Sequence, residues 1–190
     1  MQRCLCLGNI VTRAIAVGLG CDNDETDALL ELVDESFYVV RALHYPPLPP
    51  ESTSLSVGAH ADYGLLTFLY GSPEAKGSLE VFVDRKWHGV DMKEGAFVVN
   101  LGEMFGVLSN GMYTPTLHRV VHRHPHDRYS IPFFFEASWS AEIAPLDAAI
   151  RLQESQLKPG ETLQRKQSVV YGDYLTQKVG GNFLKSTTRY

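Results

Sequence analysis

The chain is poor in cysteine, in net positive charge and in long apolar runs. Its three cysteines, Cys4, Cys6 and Cys21, all lie near the start. Cys4 and Cys6 are too close for a stabilising bridge, and no fourth zinc ligand shares their neighbourhood. An odd count suits a reducing, cytoplasmic setting. Seventeen basic residues against 22 acidic ones give a formal charge of −5. Without a basic stripe, nucleic-acid binding is not expected. The early apolar stretch 10–19 is broken by Thr12 and Arg13 and is too short to span a bilayer. Asn9 and Arg13 also interrupt what would be the apolar core of a signal peptide, so neither a membrane nor a secretory role is expected. No Gly-rich phosphate loop and no nucleophile elbow occurs. What remains is a 190-residue composition that is 44% hydrophobic. That suffices for one domain with a sizeable core, expected as a monomer.

Hydrophobic periodicity divides the chain into three parts of one domain. Leu7, Ile10, Val11, Ala14 and Ile15 follow helical spacing, and Asp22-Asn23-Asp24 offers caps for a second helix to about Val33. These helices, in 1–35, should pack on a larger core. Residues 36–145 read as strands: Phe37 to Tyr45, then short apolar segments separated by Gly71-Ser72-Pro73, Asp84-Arg85-Lys86, Lys93-Glu94-Gly95 and Ser109-Asn110-Gly111. Leu101 to Leu108 interrupts them as a helix. The proline-rich run 46–50 predicts a rigid loop or edge, and the polar stretch 51–56 a mobile loop beside a pocket entrance. A C-terminal extension, 146–190, repeats Val170, Tyr171, Tyr174, Leu175 and Val179 at helical spacing, with Gly180-Gly181 as its cap. Short strands at regular spacing predict a sandwich or barrel, mainly β with flanking helices.

Two groups of residues carry chemistry. His60 and Asp62 stand at i and i+2, which on a strand share one face. His118 lies in a later strand segment. Two imidazoles and a carboxylate on one face of an octahedron suit iron(II) and leave three positions open. Arg128, Ser130, Pro132 and Phe134 alternate onto one face of another strand. An arginine aimed into an apolar barrel needs an anionic partner, and a carboxylate ligand supplies one. His122, His124 and His126 also form a dense tract, which reads as a solvent-facing loop. His44 and His88 read as structural or exposed, and Trp87 as barrel packing.

In order along the chain stand His44-Tyr45-Pro46-Pro47, His60-Ala61-Asp62-Tyr63-Gly64, Gly95 to Met104, Ser109-Asn110-Gly111, Leu117 to Val121, Arg128 to Phe135, and Tyr171-Gly172-Asp173-Tyr174-Leu175. Together these stretches resemble the iron(II)- and 2-oxoglutarate-dependent dioxygenases of the isopenicillin N synthase-like group. The resemblance implies a double-stranded β-helix, the cupin-like jelly roll. It implies iron ligation by His60, Asp62 and His118, and 2-oxoglutarate binding by Arg128 and Ser130 with Tyr45 as hydroxyl donor. It places Phe134 against the substrate. The cofactors implied are Fe(2+), 2-oxoglutarate and O2. The implied reaction is hydroxylation, desaturation or cyclisation of a small organic metabolite, with release of succinate and CO2. Ala61, Leu43 and Glu103 depart from threonine, asparagine and aspartate in many members. Members also carry a long N-terminal region that this chain is expected to lack. That shortness raises an alternative, a truncated, non-catalytic jelly roll that binds metal or a partner. A cupin-like hydrolase or isomerase using another divalent metal is a third reading, which the Arg128-x-Ser130 pair disfavours.

Overall fold

All four expected turn signals fall between or at the ends of regular elements in a computed structural model that describes residues 1–49, 51 and 55–186, with side chains through 181. Much of the expected loop 51–56, together with Pro50, lies outside the described residues. In chain order the elements are α1 (Gln2–Gly18), α2 (Asn23–Glu31), β1 (Val39–Val40), β2 (Leu43–Tyr45), β3 (Val57–His60), β4 (Leu66–Gly71), β5 (Leu79–Val83), β6 (Lys86–Val90) and β7 (Val98–Leu101). They continue with α3 (Glu103–Leu108), β8 (His118–Val120), β9 (Arg128–Phe135), β10 (Glu142–Ile143), α4 (Asp147–Glu154), β11 (Val169–Val170) and α5 (Tyr171–Ser186).

The strands form two larger antiparallel sheets and a separate β10–β11 pair. One has the order β1-β9-β4-β7 with β2 also paired to β9, and the other has the order β3-β8-β5-β6. A cavity lined from both sheets lies between them, as the jelly-roll expectation requires. The outer face of the larger sheet carries Phe68, Phe133 and Phe135, all buried beneath the N-terminal helices together with Ala16 and Leu29. Asp22 caps α2 through a reciprocal capping box with Glu25.

The close fit of α1 on the sheet is set at Gly8, where an added Cβ would stand 2.5 Å from ring carbons of Phe135. Gly8→Ala is therefore expected to destabilise by ~1–3 kcal/mol through overpacking. This outweighs the helix-propensity gain of up to ~1 kcal/mol. A lower urea midpoint at unchanged slope is the reading that checks it.

Three expectations differ from the observed elements. Phe37 to Tyr45 is not one strand but two, interrupted at Arg41 and Ala42. Both halves pair with β9. Arg41 donates its N–H to the carbonyl of Pro132, but Pro132 has no N–H to return, so the ladder loses a bond there. Gly180-Gly181 does not end the last helix. Neither glycine adopts a positive φ, so the left-handed cap geometry is absent and α5 continues to Ser186. Leu101 ends a strand, and its helix starts after Gly102. Sequence patterning also missed β6, α4 and the β10–β11 pair. β6 mixes polar and apolar residues because it is half exposed, and it is joined to β5 by a turn with Asp84 and Arg85 at φ 51° and 61°.

Candidate metal and dicarboxylate site

His60 and His118 end up side by side because they are register partners between β3 and β8. Their ring centroids are 4.2 Å apart. Asp62 Oδ1 lies 3.9 Å from His60 Nε2 and 3.8 Å from His118 Nε2. Donor atoms of all three residues fall within 4.8 Å of one another, the one such cluster among the described residues. Each imidazole is oriented by a carbonyl near its Nδ1. Gly58 O is 2.9 Å from His60 Nδ1, and Thr116 O is 2.8 Å from His118 Nδ1. A carbonyl can only accept, so Nδ1 carries the proton and the Nε2 lone pairs are left to converge. Asp62 is fixed in the same way. Its Oδ2 accepts hydrogen bonds from Thr67 Oγ1 at 2.6 Å and Asn100 Nδ2 at 2.8 Å. Oδ1 is left facing the two histidines.

Asp62 does not reach this position by strand alternation. β3 stops at His60, and Asp62 stands in the connection to β4. That connection is pinned to the start of α3 by Glu103 N–H to Asp62 O at 2.9 Å and Met104 N–H to Gly64 O at 3.0 Å. Thr67 and Asn100, on β4 and β7, were not singled out from sequence. They are directly opposed in register, a fact no local pattern carries.

Alternation does hold along β9. Arg128 and Ser130 are buried, Tyr129 and Ile131 are exposed, and Phe134 is half-buried. Arg128 is only 1% exposed. Its guanidinium lies 4.6 Å from the ring of Tyr45, its register partner on β2. Burial pushes the guanidinium's pKa down, while Tyr45 opposes that shift. Among the described residues Arg128 makes no ion pair, and its Nη1 is buried without a hydrogen-bond partner. It lines a cavity of about 590 Å³ together with Tyr45, Ser130, Leu43 and the His60–Asp62–His118 cluster. A buried cation with an unused donor, in a cavity that reaches a metal-type donor set, fits a small dicarboxylate held at both ends.

A second cavity of about 690 Å³ opens beside the same cluster, with Phe134, Val39, Arg41 and Glu136 on its wall. Glu136 is 7% exposed and accepts a hydrogen bond from Tyr171 Oη. Its carboxyl occupies the space that a side chain on Gly64 would need. Burial pushes Glu136 up to about 7, Tyr171's hydroxyl opposes this, and the charge of Asp62 adds to it. Tyr171 is pushed upward by burial and by Glu136. Between its ordinary 4.5 and about 7, the folded protein holds a proton on Glu136 that the unfolded chain releases. The contribution of Glu136 to stability is therefore fully present below that window and falls by up to ~3 kcal/mol as pH rises through it. Glu136→Gln should flatten this slope in unfolding titrations across the window from pH 4.5 to about 7.

The histidine tract differs from its expectation. His122 is fully buried, bonded to Ser78 Oγ at 3.2 Å and to the His126 carbonyl at 2.7 Å. Both ring nitrogens are occupied, so His122 is structural rather than solvent-facing. Sequence reading placed it outside because the residues around it are polar. His126 is exposed. His44 is half exposed and pairs with Asp127 at 3.0 Å. Glu103, where aspartate is more usual, meets Lys178 at 2.8 Å.

The family model described as the 2OG-Fe(II) oxygenase superfamily matches residues 35–137. Homoarginine-6-hydroxylase 2-ODD-C23.2 of Arabidopsis thaliana is 36% identical over 180 residues, covering 94% of this chain and 48% of that protein. 1-Aminocyclopropane-1-carboxylate oxidase 5 of the same plant is 32% identical over 157 residues, covering 83% and 48%. A full-length Neurospora crassa protein solved in complex with alpha-KG and thymine superposes with a TM-score of 0.81 at 26% identity, covering 95% of this chain and 54% of that one. The chain spans about half the length of the curated relatives it matches.

Proposed function

Because the chain belongs to the 2OG-Fe(II) oxygenase superfamily, we propose that it oxidises a small organic metabolite, with iron(II) held by His60, Asp62 and His118. The far carboxylate of 2-oxoglutarate lies against Arg128 and Ser130, with the Tyr45 hydroxyl beside it. The observation that carries this reading is the buried, unpaired Nη1 of Arg128, a residue that lines the cavity shared with the three-donor cluster. Iron(II), 2-oxoglutarate and O2 together supply oxidative decarboxylation to succinate and CO2 and the oxidising power to hydroxylate, desaturate or cyclise at a C–H bond. The protein's part is positional. Gly58 and Thr116 carbonyls hold the imidazole tautomers, Thr67 and Asn100 orient Asp62, and Phe134 packs on the substrate from the inner face of β9.

The segments 1–35, 36–145 and 146–190 act as one unit, the middle carrying the site. We place the protein in the cytoplasm as a monomer acting on small molecules rather than nucleic acid or membrane. Three free cysteines, a net charge of −5 and the absence, among the described residues, of a helix long and apolar enough to cross a membrane support that placement.

Iron-dependent succinate formation from 2-oxoglutarate, stimulated by members of a small-metabolite panel, is the expected result with purified protein. Succinate no higher than in a His60→Ala control would favour the non-catalytic jelly roll. Turnover that persists without oxygen would favour the hydrolase or isomerase reading.

A further inference from the structure

The two cavities meet at the His60–Asp62 wall, and Arg41, Val57 and Phe134 line both. Strand register sets the order of groups along the inner face of β1, β2 and β9. Tyr45 opposes Arg128, Leu43 opposes Ser130, Arg41 bonds to Pro132, and Val39 opposes Phe134. Glu136 follows one alternation beyond Phe134. The wall therefore runs from the Arg128 pole, past Arg41, across an apolar pair, to a buried carboxyl.

Resting on the iron and 2-oxoglutarate reading of the adjoining site, we infer that the second cavity takes a small zwitterion. Its carboxylate faces Arg41, and its distal cationic nitrogen faces Glu136. Among the described residues Arg41 makes no ion pair, so its guanidinium is open to an anion. Glu136 is fixed by Tyr171 at the opposite end, and a cation is the natural complement of a carboxyl kept from water. The backbone positions opposite Arg41 and at Glu136 are four residues apart, about 13–14 Å along a strand. Both side chains reach inward from that span. The space left between them suits a chain of several methylenes packed on Val39 and Phe134.

The test uses the whole protein loaded with Mn(II), which does not turn over, and with 2-oxoglutarate, read by calorimetry. The probes are L-ornithine, L-lysine and L-arginine. Norleucine keeps the carboxylate but lacks the distal nitrogen, and agmatine keeps the guanidinium but lacks the carboxylate. At least one basic amino acid should bind ~10-fold or more tightly than norleucine and agmatine, the scale of one charge-assisted hydrogen bond. In Glu136→Gln the preference over norleucine should collapse while that over agmatine persists. In Arg41→Gln the reverse should hold. Each ratio is internal to one variant, so partial loss of folded protein does not move it. If no basic amino acid outbinds norleucine, or if neither substitution moves its ratio, the inference is overturned. Binding of 2-oxoglutarate, titrated first, separates the failures. Without it the reading of the first cavity fails and takes this one with it. With it, a missing response to the amino acids sinks the zwitterion alone.

Discussion

Asp62→Ala should reduce iron(II) binding more than any other single substitution at this site. Losing a partner that merely orients a ligand costs ~10–100-fold in metal affinity, and losing the ligand itself should exceed that range. Asp62 is the only anion in the donor set, and both its neighbours converge on its Oδ1. Its removal also strands the Thr67 hydroxyl, which is buried, and the Asn100 amide. Each orphaned donor costs ~1–3 kcal/mol of stability. Metal content by elemental analysis, with succinate release alongside, checks the result. Thr67→Val and Asn100→Ala should fall between the parent and Asp62→Ala. Equal metal content in Asp62→Ala and the parent would place the ion elsewhere.

Arg128→Gln should separate binding from stability. Two charge-assisted hydrogen bonds to a carboxylate are worth roughly 1.5–3 kcal/mol each. Their loss should weaken 2-oxoglutarate by about 10²–10⁴-fold. The ligand-free protein should not be destabilised in step, because the guanidinium is buried without a carboxylate partner and its removal relieves desolvation. Arg128→Lys should recover little affinity, since an ammonium lacks the planar fork. Titration of 2-oxoglutarate and urea unfolding of the same samples read the two effects. A large stability loss with unchanged 2-oxoglutarate affinity would make Arg128 a structural residue.

The parts of the site that follow a two-residue period were legible along the chain. Arg128, Ser130 and Phe134 share the inner face of β9 because side chains on a strand alternate, and burial follows that alternation from Arg128 to Pro132, beyond which Phe133 and Phe135 are covered on the other face. His60 and Asp62 were rightly joined but for the wrong local reason. The strand ends at His60, and hydrogen bonds to the start of α3 turn Asp62 toward the histidines. Thr67 and Asn100 carried no signal of their own, since hydroxyl and amide side chains are common on strands. The His122 tract was misread for the opposite reason. Its polar composition suggests solvent, but Ser78 and the His126 carbonyl satisfy a ring that is fully buried.

Residue type and short-range period were enough to specify a β-rich core with flanking helices, a donor set of the right chemistry and a strand that aims a cation inward. Resemblance in motif order then tied these to one superfamily, to which the chain belongs. Folding added what depends on register between strands far apart in sequence. It set His60 opposite His118 and Thr67 opposite Asn100, and it placed Arg41 and Glu136 along one wall. A side chain's face is set by its immediate backbone. Its partners are set by which distant strand it pairs with, and that pairing is chosen by burial of the whole sheet.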